Sequence, residues 1–304
     1  MGILVKNKFL VKRGMFILAG VFSALGIIFS SIAMGTDYWI DSEGSQNTSG
    51  SGSTDLSFES NIKINYGLFN GRKTTKGQLD LAPVPYSLTV FCPGGEGVCL
   101  VSCGTTEVEQ KQEFDYLRFG ETAYRCQRTT KVLKTSRSRL VQLASDISVK
   151  ETARSVPVRG NDQFMDYGLW VTTLIFLSLM LSFQVISAGL CFFNTVTIPI
   201  EMLVGPMGIY LANGVVGLTG LITLSLWGDL FSSKLSSELA IQETILDIYL
   251  MSSSNLGYSY WFVLCSLIFA IASSVCIRFR NSLRKFSNQN VVGVESSTPG
   301  GMLY

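Results

Sequence analysis

Four cysteines in a short stretch are the residues of this chain best suited to chemistry. Cys92, Cys99, Cys103 and Cys126 form an even set, which is typical of a disulfide framework in an oxidising compartment and permits three pairings. Cys92 and Cys99 flank Pro93-Gly94-Gly95, so a short hairpin bridge is one option, and it leaves Cys103 for Cys126. The crossed pairings stay open. A zinc site built from all four thiolates is a weaker alternative, because thiols outside the cell are usually oxidised.

The chain of 304 residues contains no histidine, so it lacks the usual general base and the commonest metal ligand. This excludes Ser-His-Asp triads, Cys-His dyads and histidine-ligated zinc sites. The sequence also lacks a Gly-X-Ser-X-Gly elbow and a phosphate-binding glycine loop ending in Lys-Ser or Lys-Thr. We therefore expect a protein that is not an enzyme, with no catalytic residue, no cofactor, no resident metal and no small-molecule substrate.

The apolar residues are concentrated in four long blocks, and the mean hydropathy is +0.34 with only 15% charged residues. A bilayer core of about 30 Å needs roughly 20 apolar residues of helix. The blocks therefore predict an all-α membrane protein, a four-transmembrane-helix bundle whose large, partly β extracellular loop lies between helices 1 and 2. The first block is too long for the apolar region of a cleaved signal peptide, so an uncleaved anchor is the better interpretation. The predicted spans are 14–36, 167–193, 206–228 and 258–279.

Basic residues flank the first span on its amino-terminal side and the last span on its carboxyl-terminal side. The positive-inside rule places both of these flanks in the cytosol. The tryptophans agree, because each lies at the predicted outer end of a span, where aromatic rings favour the headgroup region. They are Trp39, Trp170, Trp227 and Trp261. We expect a multi-pass plasma-membrane protein with cytoplasmic segments 1–13, 194–205 and 280–304, and extracellular loops 37–166 and 229–257.

The first extracellular loop is not uniform. Residues 42–57 are rich in Gly and Ser and predict a flexible stretch, whereas residues 61–101 contain runs typical of strands. Asn47 begins the one Asn-X-Ser/Thr sequon and is a candidate glycosylation site. Nucleic acid is not an expected partner, because the basic residues of this loop lie outside the cell.

Between their ends, the predicted spans carry no Asp, Glu, Lys or Arg, which argues against an ion or proton pathway through the bundle. They contain small residues at helical spacing, which allow close helix packing in lipid. Gln184 and Asn213 could add hydrogen bonds between helices. The residues expected to pack are Gly20, Ala24, Gly208, Ala212 and Gly217.

Several short segments, taken together and in order, resemble the clarins. The first-loop pair of a tryptophan and a Gly-Leu-aromatic also resembles the wider claudin and peripheral-myelin-protein tetraspan group. The segments are 19–23, 34–40, 66–71, 205–210, 258–261 and 302–304, and the motif residues are Trp39, Tyr66, Gly67, Leu68, Phe69, Gly205, Pro206, Gly208 and Tyr210. Residues 72–163 are longer than the usual clarin loop, which indicates a divergent member.

The resemblance implies a tetraspan glycoprotein that organises membranes in sensory cells, at actin bundles or synapses of hair cells and photoreceptors. Its expected partners are the lipid bilayer, other membrane proteins beside it, and a cytoskeletal or PDZ-type protein. The terminal Met302, Leu303 and Tyr304 could add as a strand to a PDZ groove. The alternatives are an auxiliary subunit of an ion channel and a claudin-like adhesion or junction protein.

Overall fold

The computed structural model describes residues 2–46, 61–76, 84–120, 124, 126, 160–197, 204–246 and 248–295. The chain divides into two compact units, which are described separately. The helix unit comprises residues 1–34, 173–225 and 261–304, and the sheet unit comprises residues 35–172 and 226–260.

The described residues form four long helices and two shorter ones. They are α1 (Gly2–Gly35), α2 (Glu107–Phe119), α3 (Tyr167–Val196), α4 (Pro206–Leu230), α5 (Gln242–Ile245) and α6 (Tyr258–Glu295). The long helices contain segments with the length and apolarity to cross a membrane, at Arg13–Gly35, Tyr167–Val196, Pro206–Leu235 and Tyr258–Arg280. A helix suits such apolar segments because it satisfies every backbone polar group without water. This number of segments fits the predicted tetraspan protein.

Within the helix unit, a small apolar core lies between the four long helices. Its buried members come from all of them, and are Phe16, Ala19, Cys191, Ile209, Cys276 and Ile277. Many large apolar side chains instead point outward: Leu218 is 62% exposed and Ile271 is 64% exposed. An apolar exterior of this kind suits a protein surrounded by lipid.

A seven-stranded antiparallel sheet forms the centre of the sheet unit. Its strands are β1 (Ile40–Gln46), β2 (Asn61–Tyr66), β3 (Asn70–Lys76), β4 (Val84–Phe91), β5 (Val98–Ser102), β6 (Met165–Asp166) and β7 (Tyr249–Leu256). They lie in the order β6-β5-β4-β3-β2-β1-β7. The sheet therefore joins strands from both loops that the sequence predicts to be extracellular, since β7 comes from the second of them.

The expectation of a flexible stretch over residues 42–57 is wrong at its start, because Ser42–Gln46 belong to β1. Ser42 pairs with Ile64 on one side and with Ser254 on the other. The backbone of this Gly- and Ser-rich segment is hydrogen bonded to neighbouring strands on both sides. This pairing stabilises it, because its small side chains contribute little packing. Residues 47–57 lie outside the described part of the chain.

Helix α2 packs against β5 and completes the core of the sheet unit. Thr106 and Glu109 form a capping box at its start, and Gly120 ends it in the left-handed conformation with a φ of 72°. These three residues fix where the helix begins and ends. The core cluster consists of Val98, Leu100, Phe114, Leu117, Phe164 and Ile245.

Candidate functional site

An ion pair with a buried lysine lies in the sheet unit. Strand β3 carries Lys73, which is only 2% exposed, and α5 carries Glu243. The Nζ of Lys73 donates to Oε1 of Glu243 and also lies 4.9 Å from the centroid of the Tyr86 ring. A charge removed from water is tolerated only with such partners. A lysine from a polar strand therefore lies in the interior of the sheet unit.

Glu113 on α2 is a buried acid of the sheet unit, with 1% exposure. Its Oε2 accepts hydrogen bonds from Ser102 Oγ at 2.5 Å and from the Cys103 backbone N–H at 3.0 Å. Burial raises the pKa of Glu113 to about 7, and the two hydrogen bonds only partly oppose that rise. Glu243 raises this pKa further, whereas Lys73 lowers it. Glu113 thus changes charge near neutral pH, next to the Lys73–Glu243 pair.

The four cysteines of the first loop form two disulfides. Cys92 pairs with Cys99 across 7 residues, and Cys103 pairs with Cys126 across 23 residues. The four sulfurs therefore do not form the single zinc site that the sequence left as an alternative. The Sγ of Cys103 lies 3.5 Å from Oε2 of Glu113. In the disulfide form these sulfurs are not thiolate ligands, so the arrangement is a structural bridge beside a buried carboxyl group.

Two aromatic residues of the first-loop motif, Trp39 and Tyr66, lie in the interior of the sheet unit. Trp39 is fully buried with its ring centroid 4.9 Å from that of Trp227, in an edge-on arrangement. Tyr66 donates its hydroxyl to the carbonyl of Leu239 at 3.1 Å. Trp39 and Trp227 therefore act as core residues, which corrects the expectation that each tryptophan faces a membrane interface.

The Gly-Leu-Phe segment of the motif makes a close turn. A Cβ on Gly67 would collide with the carbonyl oxygen of Thr36, so this position requires glycine. The carbonyl of Leu68 accepts a hydrogen bond from Trp170 Nε1 at 2.9 Å, and Phe69 is 41% exposed.

In the helix unit, Gln184 hydrogen bonds to neighbouring helices, as the sequence predicts. Its Oε1 accepts from Ser30 Oγ at 2.6 Å, and its Nε2 donates to Ser266 Oγ. Ser266 in turn donates to the carbonyl of Gly26 at 2.9 Å. A Cβ on Gly26 would lie 3.3 Å from Gln184 Nε2, so the glycine lets this contact form. The network joins α1, α3 and α6.

Asn213 carries the second polar network of the helix unit, again as predicted. Its Oδ1 accepts from Ser187 Oγ at 2.7 Å, and its Nδ2 donates to Ser274 Oγ at 3.1 Å. Ser23 Oγ lies 3.3 Å from Ser187 Oγ and 3.2 Å from Ser273 Oγ. These contacts connect all four long helices through neutral groups.

The residues expected to pack the helices lie in different environments. Ala212 and Gly208 are buried, and a Cβ on Gly20 would lie 3.4 Å from Cys191 Cβ. Ala24 is exposed, and a Cβ on Gly217 would meet no heavy atom within 4 Å.

The motif at the start of α4 lies in the helix unit. The Gly208 backbone N–H donates to the Gly205 carbonyl at 3.1 Å, and Pro206 is the first helical residue, where its missing N–H is tolerated. Tyr210 packs partly buried against the apolar core.

Residues 162–278 match the family model described as Clarin-2-like. Human Clarin-3 is 28% identical over 113 residues, which are 37% of this chain and 50% of that protein. Rat Clarin-3 is 31% identical over 97 residues, which are 32% of this chain and 43% of that protein. These matches support the interpretation of this chain as a divergent member of the clarin family. The chain spans about half the length of the curated clarins it matches.

The match to the Clarin-2-like model includes α3 to α5, strands β6 and β7 and the first part of α6, and it leaves out β1 to β5 with both disulfides. Together with the four apolar helices, the clarin match supports a multi-pass membrane protein. Asn47 and the terminal Met302, Leu303 and Tyr304 lie outside the described residues.

Sequence reasoning missed Lys73, Glu113 and Glu243. No pattern marks Lys73, because β3 reads as a polar strand in Asn-Gly-Arg-Lys-Thr-Thr-Lys. The spacing of Glu113 from Phe114 and Leu117 is a weak sequence signal of burial, because it places Glu113 beside the apolar face of α2.

Proposed function

We propose that this protein is a non-enzymatic organiser of the plasma membrane, which associates laterally with other membrane proteins. The observation that supports this most strongly is the neutral hydrogen-bond network of Asn213, which connects all four long helices. Its amide and hydroxyl groups bond to one another, so they hold the helices together. A transport pathway would instead present charged groups to a water-filled cavity.

We propose the predicted topology for the same protein. Segments 1–13, 194–205 and 280–304 face the cytosol, and loops 37–166 and 229–257 face outside. The basic flanks of the first and last spans support this orientation. The two disulfides support it as well, because such bridges persist in an oxidising compartment.

Protease added to intact cells tests the topology. An epitope inserted beside Thr105 should be removed and one after Tyr304 should survive. A shift in gel mobility on glycosidase treatment, absent in Asn47→Gln, would place the first loop outside and establish the sugar. The opposite protease pattern would overturn the topology, the glycosylation and the organiser proposal together.

The finer proposal is a clarin-like role at actin bundles or synapses of a sensory cell. It is supported by the motif resemblance and by the match of residues 162–278 to the Clarin-2-like family model. In this role the tail 280–304 binds a cytoskeletal or PDZ-type partner through Met302, Leu303 and Tyr304.

Proximity labelling from the amino terminus in a sensory cell tests this role. We expect cytoskeletal and PDZ-containing neighbours, and we expect their loss when one glycine is added after Tyr304, because the terminal carboxylate is then displaced. Deletion of Ser297-Thr298-Pro299 is the matched control and should change little. Unchanged neighbours in the extended chain would contradict the PDZ contact. Enrichment of a pore protein whose gating changes when this protein is present would favour the channel-subunit alternative. Aggregation of cells that express the protein, lost when its disulfides are reduced, would favour the adhesion alternative.

A further inference from the structure

A groove lies on the surface of the helix unit between α4 and α6. It has a volume of about 370 Å³ and mostly apolar walls, with Leu221 from α4 and Ile271 and Val275 from α6 among them. Leu221 is 59% exposed and Ile271 is 64% exposed. The groove therefore opens on the apolar exterior of the helices, where lipid would lie.

Two glycines form the floor of this groove. A Cβ built on Gly214 or Gly217 would meet no heavy atom within 4 Å. Gly220, nearly one turn further along α4, differs, because a Cβ there would collide with the side chain of Leu267. Close helix packing explains Gly220, whereas the space beside Gly214 and Gly217 is open to an occupant.

The length of the groove fits a single membrane leaflet. Its lining on α4 runs from Tyr210 to Leu221, which is about 16 Å at the rise of an α-helix. The hydrocarbon core is about 30 Å thick, so the groove covers about half of it. A partner helix that crosses the membrane would contact a strip along the full thickness.

One end of the groove is positively charged. Asn213 contacts Ser274 while Gly220 lies beside Leu267, so α4 and α6 are antiparallel and Arg278 lies at the Tyr210 end. Arg278 is exposed and lies near the carboxyl-terminal end of the apolar segment Tyr258–Arg280 of α6. A guanidinium group binds phosphate through paired hydrogen bonds. The groove thus combines an apolar channel of leaflet length with a phosphate-binding group at its mouth.

We propose that this groove binds one anionic phospholipid, with an acyl chain along Gly214 and Gly217 and the phosphate at Arg278. The proposed topology places Arg278 in the cytoplasmic leaflet, where anionic lipids are enriched. A sterol would leave the charge of Arg278 unused. Lipid binding does not depend on the organiser role, so each proposal can fail without the other.

Native mass spectrometry of the full chain in mild detergent tests the proposal, with dioleoyl phosphatidylserine and dioleoyl phosphatidylcholine as probes. We expect preferential binding of phosphatidylserine. Arg278→Gln should weaken it about five-fold, which is the usual contribution of one basic residue near an anionic surface. Arg278→Lys keeps the charge but loses the paired hydrogen bonds, so it should retain part of the preference. Equal binding of both lipids by the unaltered chain would overturn the proposal, and so would unchanged binding in Arg278→Gln.

Filling the groove gives a second, independent test. Gly217→Leu should abolish binding of the phospholipid. Gly189→Leu is the matched control, because a Cβ on Gly189 of α3 is also in open space but lies outside the groove. Both variants are expected to fold, which thermal melting checks. Normal lipid binding by Gly217→Leu would overturn the proposal. A dimer that Gly217→Leu dissociates without any change in bound lipid would overturn it as well, and would assign the groove to contact between two copies.

Discussion

The two units of this protein bury polar groups of different kinds. The helix unit buries amides and hydroxyls, with Gln184 and Asn213 at the centres of two hydrogen-bond networks. The sheet unit buries ionisable groups, with Lys73 paired to Glu243 and Glu113 held by Ser102 and Cys103. Neutral and ionisable groups have different requirements when they are removed from water. A neutral network needs no counter-charge, whereas a buried charge must find a partner.

The contrast also indicates where regulation by solution conditions can act. Neutral amides and hydroxyls do not titrate, so the networks of the helix unit are insensitive to pH. We expect the sheet unit to respond to pH through Glu113 and to reductants through its two disulfides. The following variants test this division, in order of expected effect on the thermal midpoint and unfolding free energy in detergent.

Removing the ion-pair partner of the buried Lys73 should have the largest effect. Glu243→Gln leaves Lys73 charged and without its carboxylate, and such losses cost about 3–5 kcal/mol. The double variant Lys73→Met with Glu243→Gln should recover much of that loss, since no buried charge remains. The exposed pair of Lys63 and Glu43, 3.0 Å apart, is the control. Glu43→Gln should cost less than about 1 kcal/mol. Similar losses at the two sites would show that Lys73 is not truly buried.

The sequence predicts the helix unit better than the sheet unit, and the reason is physical. A spanning helix is encoded locally, as an apolar run such as residues 14–36. The amides of Gln184 and Asn213 are easily noticed because each lies within another apolar run of this kind. Strand β1 reads as Ile-Asp-Ser-Glu-Gly-Ser-Gln and has no strand pattern of its own. It becomes a strand because β2 and β7 pair with it on both sides, and β7 lies about 200 residues away along the chain. The burial of Lys73 likewise arises only from tertiary contacts.

Loss of a disulfide should cause the second largest decrease in unfolding free energy, and the decrease should be larger for the bridge that closes the longer loop. A bridge stabilises mainly by restricting the unfolded chain, so the effect increases with the number of residues enclosed. Cys103→Ser with Cys126→Ser opens a separation of 23 residues and should cost about 3 kcal/mol. Cys92→Ser with Cys99→Ser opens a separation of 7 residues and should cost about 2 kcal/mol. The reverse order would indicate that Cys103–Cys126 is not formed in the native protein.

The pH dependence of the sheet unit should trace to Glu113. Its pKa rises from 4.5 to about 7 in the folded chain, because burial disfavours the carboxylate. Between these two values the folded state binds more protons than the unfolded state, so stability falls as pH rises through this window. Glu113→Gln keeps acceptors for Ser102 and Cys103 without the charge. It should therefore stabilise the protein by about 3 kcal/mol at pH 8 and have little effect at pH 4. Melting curves at both pH values check this, with exposed Glu107→Gln as the control. An equal effect at the two pH values would contradict it.

Removing a neutral hydrogen-bond centre from the helix unit should have the smallest effect. Gln184→Leu leaves Ser30 and Ser266 without their amide partner, but Ser30 also donates to the Gly26 carbonyl at 2.8 Å and Ser266 to the same carbonyl at 2.9 Å. Hydrogen bonds between membrane helices contribute about 1 kcal/mol each, so the expected loss is about 1 kcal/mol and independent of pH. Ser178→Ala is the control, because its exposed hydroxyl bonds only within α3, to the Leu174 carbonyl. A loss as large as that of Glu243→Gln would mean that burial in lipid magnifies neutral hydrogen bonds to the strength of a buried charge pair, and the contrast between the two units would then fail.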